Sequence, residues 1–149
     1  MEERQVKILL DSSVIVAGLV EAHPMHGQAL PWLAKAKAGE FRLLLCTHSL
    51  AEVFAVLTSL PIRPPIKPEV ALRLIGENLE SVAQIVELAS SDYWVVMRSA
   101  AANGIVGGAI YDALIARAAE NSGADKLVTF NIGDFQRVWP SGAGVISSP

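Results

Sequence analysis

Short apolar runs, each followed by a stretch of helical periodicity, recur along this chain. Ile8-Leu9-Leu10, Leu43-Leu44-Leu45-Cys46 and Leu127-Val128 show no polar alternation. Runs of that kind read as strands buried on both faces. Strands are predicted over 5–10, 41–46, 82–88, 126–130 and, shorter, over 145–146. Helices are predicted over 13–20, 28–38, 49–60, 68–80, 90–102 and 109–121. Pro31 and Pro68 fall near helix starts; Gly39, Asn103-Gly104 and Ser122-Gly123 stand at helix ends. Buried strands separated by helices pair in parallel, with helices on both faces. The predicted fold class is therefore α/β, a three-layer α/β/α sandwich around a central parallel sheet. The Pro-rich segment 61–65 is a stiff surface loop, too short to separate domains. No repeat or low-complexity tract interrupts the pattern, so residues 1–149 are expected to form a single domain.

Composition supports a packed core. Hydrophobic residues make up 52% of the chain and charged residues only 18%, which argues against disorder. Crossing a bilayer takes about 20 consecutive apolar residues, and uncharged stretches such as Ser99 to Tyr111 fall short. Glu2 and Glu3 spoil a basic leader, and Asp11 cuts the first apolar segment, so no secretory signal is expected. The single cysteine, Cys46, excludes an internal disulfide and fits a reducing compartment. These features point to a cytoplasmic protein with no membrane segment. A net charge of −3 argues against a surface that attracts nucleic acid as a whole. It leaves room for a metal-dependent nuclease, because a bound cation inverts the local field.

Polar sites in parallel sheets form beyond the carboxyl ends of the strands. Asp11 falls at such an end, where "ILLDSS" stops. It could serve as N-cap of the next helix, although Ser12 or Ser13 would cap equally well. Glu52 is the only charged residue between Arg42 and Arg63. Ser49-Leu50-Ala51-Glu52 matches a capping box, and the same position also lies on the rim of Asp11. Asp112 sits among Ile110, Tyr111, Ala113, Leu114 and Ile115. A carboxylate buried there is costly unless paired, hydrogen-bonded or bound to a metal. Thr129, Asn131 and Asp134 follow the fourth strand, either as turn and cap residues or as part of the same rim. Carboxylates that converge raise one another's pKa unless something positive compensates. No Lys or Arg adjoins Asp11, Glu52 or Asp112 in sequence. A hard divalent cation such as Mg²⁺ is the natural partner, and without His or Cys in the set zinc is disfavoured.

The segments "ILLDSSVIVA", "SLAEVFAVL", "YDALIARAAE" and "LVTFNIGDFQRV" resemble the four motifs of PIN domains in order and spacing. The closest likeness is to VapC-type toxins of type II toxin–antitoxin modules, and it spans nearly the whole chain. The resemblance implies an endoribonuclease dependent on Mg²⁺ (or Mn²⁺), acting on RNA, forming a homodimer and inhibited by a cognate antitoxin protein. Residue by residue, it places Asp11, Glu52 and Asp112 at the three core acidic positions. Ser13 corresponds to the small polar residue that orders the first Asp, and Thr129 to the polar residue closing the fourth strand. The fourth acidic position departs from the family: Asn131 stands where Asp is common, with Asp134 nearby. Metal ligands are thus expected among Asp11, Glu52, Asp112, Asn131 and Asp134. The resulting mechanism is metal-assisted phosphodiester hydrolysis, with Asp11 and Asp112 on the principal cation and Glu52 as ligand or orienter of water.

The rival readings are a phosphotransfer domain and a catalytically weakened PIN scaffold that binds protein or RNA without cleaving it. The first needs a second Asp two residues after Asp11, where Ser13 stands. The second is kept open by Asn131. His23, His26 and His48 lie outside the acidic motifs. Arg63, Lys67, Arg73 and Arg98 are candidate phosphate contacts. Trp32, Trp94 and Trp139 are candidates for base stacking, although packing is the better account of each.

Overall fold

The structure, a computed structural model, describes residues 3–149. Its strands are β1 (Lys7–Leu10), β2 (Arg42–Cys46), β3 (Ala83–Val86), β4 (Lys126–Val128) and β5 (Ile146–Ser147). They form one sheet in the order β3-β2-β1-β4-β5, and every neighbouring pair is parallel. The helices are α1 (Ser12–Leu19), α2 (His26–Lys37), α3 (Thr47–Ser59), α4 (Pro68–Ile75), α5 (Ser90–Ala102), α6 (Ala109–Ser122) and α7 (Ile132–Val138). No helix among the described residues is long and apolar enough to cross a membrane.

Successive side chains of a strand point to opposite faces, and here both faces are apolar. Ile8, Leu10, Leu43, Leu45 and Val128 join one core with residues of α1, α2, α3 and α4. Leu9, Leu44, Cys46 and Leu127 join the other with α6 and α7. Helix α5 packs outside α6. The uninterrupted runs of β1 and β2 are what such a double-sided sheet requires. Leu9, Leu10, Leu43, Leu44 and Leu45 are buried almost completely, each worth about 1.5–3 kcal/mol of transfer free energy. Cys46 is buried as well, an inert core thiol. Gly18 lets α1 and α2 approach closely, since a Cβ there would lie 2.6 Å from Leu33 Cδ1. Gly123, at φ 64°, ends α6 in the left-handed conformation and turns the chain into β4.

Several predicted boundaries shift for local reasons. The 68–80 helix is α-helical to Ile75 and then widens into a π turn over Gly76–Glu80. Strand β3 is shorter than predicted and only partly buried, as suits the sheet edge. Strand β4 ends at Val128; the Thr129 amide still donates to the Ser147 carbonyl at 3.0 Å, and its hydroxyl accepts from the Asn131 amide at 2.9 Å as the chain turns away.

From β1 the chain winds outward through β2 to β3, then returns to place β4 on the other side of β1. The switch point lies between the carboxyl ends of β1 and β4. The Asp11 amide donates to the Val128 carbonyl there, at 2.9 Å.

Candidate active site

Asp11 leaves β1 and enters α1 as its N-cap position, yet its side chain makes no capping hydrogen bond. The carboxylate turns inward, 3% exposed. Its Oδ2 accepts from Ser13 Oγ at 2.7 Å and from Thr129 Oγ1 at 2.8 Å. Each hydroxyl is polarised from behind by a backbone amide. Phe130 N–H donates to Ser13 Oγ at 3.4 Å, and Asn131 N–H donates to Thr129 Oγ1. Two chain segments on either side of the switch point thus fix one carboxylate. Burial pushes the Asp11 pKa up, and the Ser13 and Thr129 hydroxyls oppose that shift.

Glu52 does not complete a capping box. Helix α3 begins at Thr47, with Cys46 as N-cap, so Ser49 and Glu52 stand inside the helix rather than at its start. The helix starts two residues early because it springs directly from the end of β2. Glu52 is half-buried, and its pKa is raised by burial first and then by the Asp11 charge; His48 opposes this. Ser12, deeply buried, lines the same cavity as Glu52, and its Oγ makes no hydrogen bond of regular geometry.

Asp112 occupies the first turn of α6. Its pKa is pushed up to about 7 by burial and by the charges of Asp11, Asp134 and Glu52, in that order. A cavity of about 350 Å³ is lined by Asp11, Ser12, Ser13, Glu52, Asp112 and Asn131, together with His23. A neighbouring cavity of about 310 Å³ is lined by Gly108, Ala109, Asp112, Asp134 and Arg137. Asp112 is common to both. Asn131 therefore faces the chamber of Asp11, and Asp134 faces Asp112 from the next one. Asp134 is no helix cap: α7 starts at Ile132, and Asn131 holds the N-cap position without a capping side-chain bond.

All the residues expected at the site, namely Asp11, Ser13, Glu52, Asp112, Thr129, Asn131 and Asp134, lie on this rim. Among the described residues, no three His, Cys, Asp or Glu side chains form a ready-made metal cage. The donor chemistry nevertheless suits a hard divalent ion, and Mg²⁺ characteristically takes one or two carboxylates and keeps several waters. The donors are carboxylate, hydroxyl and amide oxygens. Among the described residues, His48 beside Glu52 and Arg137 in the chamber that Asp112 shares with Asp134 are the basic neighbours of this set, and the pKa values of Asp11, Glu52 and Asp112 are nevertheless all raised. The unpartnered Ser12 hydroxyl adds a buried polar group facing the same space.

Two neighbours escaped the sequence reading. His48 Nε2 stands 3.4 Å from Glu52 Oε2, one helical turn away; the i, i+4 spacing was the available signal. Arg137 lines the chamber of Asp134, three residues along α7. His26, by contrast, is structural: its Nδ1 lies 2.8 Å from the Ala17 carbonyl, joining α2 to α1.

A PIN-domain family model matches residues 8–138. Ribonuclease VapC27 of Mycobacterium tuberculosis is 36% identical over 118 residues, covering 79% of this chain and 80% of that protein. Ribonuclease VapC40 of the same organism is 33% identical over 119 residues, covering 80% and 82%. Among solved structures, VapC20 of M. tuberculosis, a sarcin-ricin-loop-cleaving toxin, has the same fold with a TM-score of 0.70 at 18% identity, covering 93% of this chain and 95% of that one. VapBC2 of Rickettsia felis, solved bound to a DNA fragment from its promoter, gives 0.64 at 19% identity, covering 97% and 99%. With motif order, sheet topology and family match in agreement, the chain belongs to the PIN-domain family, as a relative of the VapC ribonucleases.

Proposed function

We propose that this chain is a Mg²⁺- or Mn²⁺-dependent endoribonuclease, the toxin of a toxin–antitoxin module, with residues 1–149 working as one PIN domain. The observation that carries the reading is the set of poorly compensated carboxylates around Asp11 at the switch point. The names of the relatives supply the substrate class, and the likeness to VapC20 and VapBC2 supports an antitoxin partner. An exposed apolar face on α5, with Trp94, Val95 and Met97, supports a homodimer. A chain without a membrane-crossing helix among its described residues is consistent with a cytoplasmic site of action.

In this reading Asp11 and Asp112 would hold the principal cation. Such a cation, when bound, lowers the pKa of water and offsets charge on the phosphodiester. Ser13 and Thr129 hold the Asp11 carboxylate by Oδ2, so its orientation is set before substrate arrives. Glu52, which lines the same cavity and has a raised pKa, would serve as a further ligand or orient the attacking water. Asn131 contributes a neutral oxygen, and Asp134 supplies the fourth negative charge from the adjoining chamber.

The test is cleavage of a mixed RNA pool by the purified protein with Mg²⁺, with Mn²⁺ and with EDTA. The proposal expects metal-dependent fragments from the wild type and none from Asp11→Asn. Binding of RNA or protein without any cleavage would instead favour the weakened scaffold that Asn131 suggests.

A further inference from the structure

Tyr111 on α6 and His48 on α3 stack face to face, their ring centroids 4.6 Å apart and their planes 4° from parallel. Each ring is tied to a carboxylate of the acidic cavity. Tyr111 immediately precedes Asp112 in sequence, and His48 touches Glu52 with Nε2. Tyr111 is nevertheless 50% exposed. One face of its ring is backed by an imidazole, and the residue remains open at the rim. The other aromatic candidates are engaged elsewhere. Trp32 packs edge-on against Phe41, and Trp139 lies over Gly142. Trp94 sits on the outer helix α5 beside Arg98.

A flat, half-exposed ring stacked on His48, itself in contact with Glu52, answers a physical difficulty of this site. The chain carries a net charge of −3, and its cavity wall repels a polyanion. Affinity for single-stranded RNA normally combines cationic contacts with base stacking, and stacking works without charge. A ring already held in place loses little freedom when a base docks. We propose that Tyr111, backed by His48, is the platform on which one unpaired nucleobase of the RNA stacks next to the phosphodiester to be cut. The inference rests on the ribonuclease reading and adds a substrate contact to it. Tyr111 is then a binding residue, and His48 is a positioning residue that keeps the platform flat.

The experiment uses a short single-stranded RNA that the wild-type protein cleaves, with its base removed at one position at a time. Binding in Mg²⁺ is measured for the Asp112→Asn protein, with Tyr111 present and with Tyr111→Leu. Leucine keeps apolar packing against His48 but offers no ring face. With Tyr111 present, one abasic position near the cleavage site should weaken binding by about 5- to 150-fold, the range of a single base–aromatic stack. With Tyr111→Leu the same abasic site should cost almost nothing further, and Tyr111→Trp should restore the loss. Equal abasic profiles with and without the ring would overturn the platform while leaving the ribonuclease reading intact. A general loss of affinity at every position, accompanied by a fall in melting temperature, would mark the stack as a helix–helix contact and also overturn it. A wild-type protein that neither binds nor cleaves RNA would overturn both readings.

Discussion

Asp92 and Asp112 lie on neighbouring helices of one hairpin, α5 and α6, and their surroundings are opposite. Asp92 accepts from Asn121 Nδ2 at 3.0 Å, Arg117 Nε at 2.9 Å and the Ala89 amide at 2.9 Å. Its pKa is held below the usual carboxylate range, by Asn121 first and Arg117 next. Arg117 also reaches Glu120, completing a closed network of both signs. Asp112, on the other helix, has its pKa pushed up to about 7 by burial and by the charges of Asp11, Asp134 and Glu52, with Arg137 lining the chamber it shares with Asp134. Where this fold uses a carboxylate to join helices, it supplies donors. Around Asp11 it supplies hydroxyls for orientation, and neither His48, beside Glu52, nor Arg137, in the chamber of Asp112 and Asp134, keeps the Asp112 pKa from rising. Two arrangements so different in one small chain are hard to explain by packing needs alone. The uncompensated one has the character of a site awaiting a cation.

Removing a charge from the acidic cavity should have the largest effect on activity. Asp11→Asn and Asp112→Asn should each lower RNA cleavage by more than ~10²-fold, since even the outer partners of metal ligands are worth 10–100-fold. Single-turnover rates over a Mg²⁺ titration would measure this. Thr129→Val comes next, with a loss of roughly 10–100-fold. It removes a hydroxyl that holds Asp11 and opposes its raised pKa, so part of the loss should be recovered at higher pH. A rate unaffected by that change would separate Asp11 orientation from function.

Stability offers a middle-sized test with a defined sign. Folding pushes the Asp112 pKa from the ordinary 3.8 up to about 7, by burial and by the neighbouring carboxylates. Between those values the folded state binds more protons, so without metal its stability falls as pH rises from about 4 to about 7, and the penalty is complete above that. Asp11 and Glu52 shift in the same direction. Asp112→Asn should flatten this slope and raise the metal-free melting temperature near pH 8 by a few degrees. Mg²⁺ should stabilise the wild type more than the variant by linkage. The Asp92 network should show the converse. Arg117→Ala should lower the melting temperature and leave the metal dependence of cleavage unchanged, because its partners Asp92 and Glu120 belong to the helix contact. The smallest effect belongs to the fourth acidic position. Asn131→Asp should tighten Mn²⁺ binding a few-fold, whereas Asp134→Asn should mainly bring the Asp112 pKa down. Titrations of the two variants would show which chamber carries the extra charge.

Much of the framework could be read directly from residue patterns. Unbroken apolar runs in β1 and β2 announced a sheet covered on both sides, and Asp11 stood out because it ended one of them. Helix α5 lies over Ser90–Ala102 as read, because Asn103-Gly104 ends it and Gly104 takes φ 66°. The sequence was ambiguous where two motifs shared the same letters. Ser49-Leu50-Ala51-Glu52 has the form of a capping box, but α3 starts at Thr47, since the end of β2 dictates where the helix can begin. Asp134 could be read as a cap or as part of the rim, and α7 starts before it, at Ile132, with Asn131 in the N-cap position. The Tyr111–His48 stack joins helices far apart in sequence and has no local signature.

The most direct measurement is anomalous diffraction from crystals of the protein soaked in Mn²⁺. The account predicts a peak in the cavity of Asp11, Glu52 and Asp112, within ligating distance of Asp11 and Asp112, and its loss in Asp112→Asn. A protein that cleaves RNA with Mn²⁺ while its only anomalous peaks lie away from those carboxylates would contradict it.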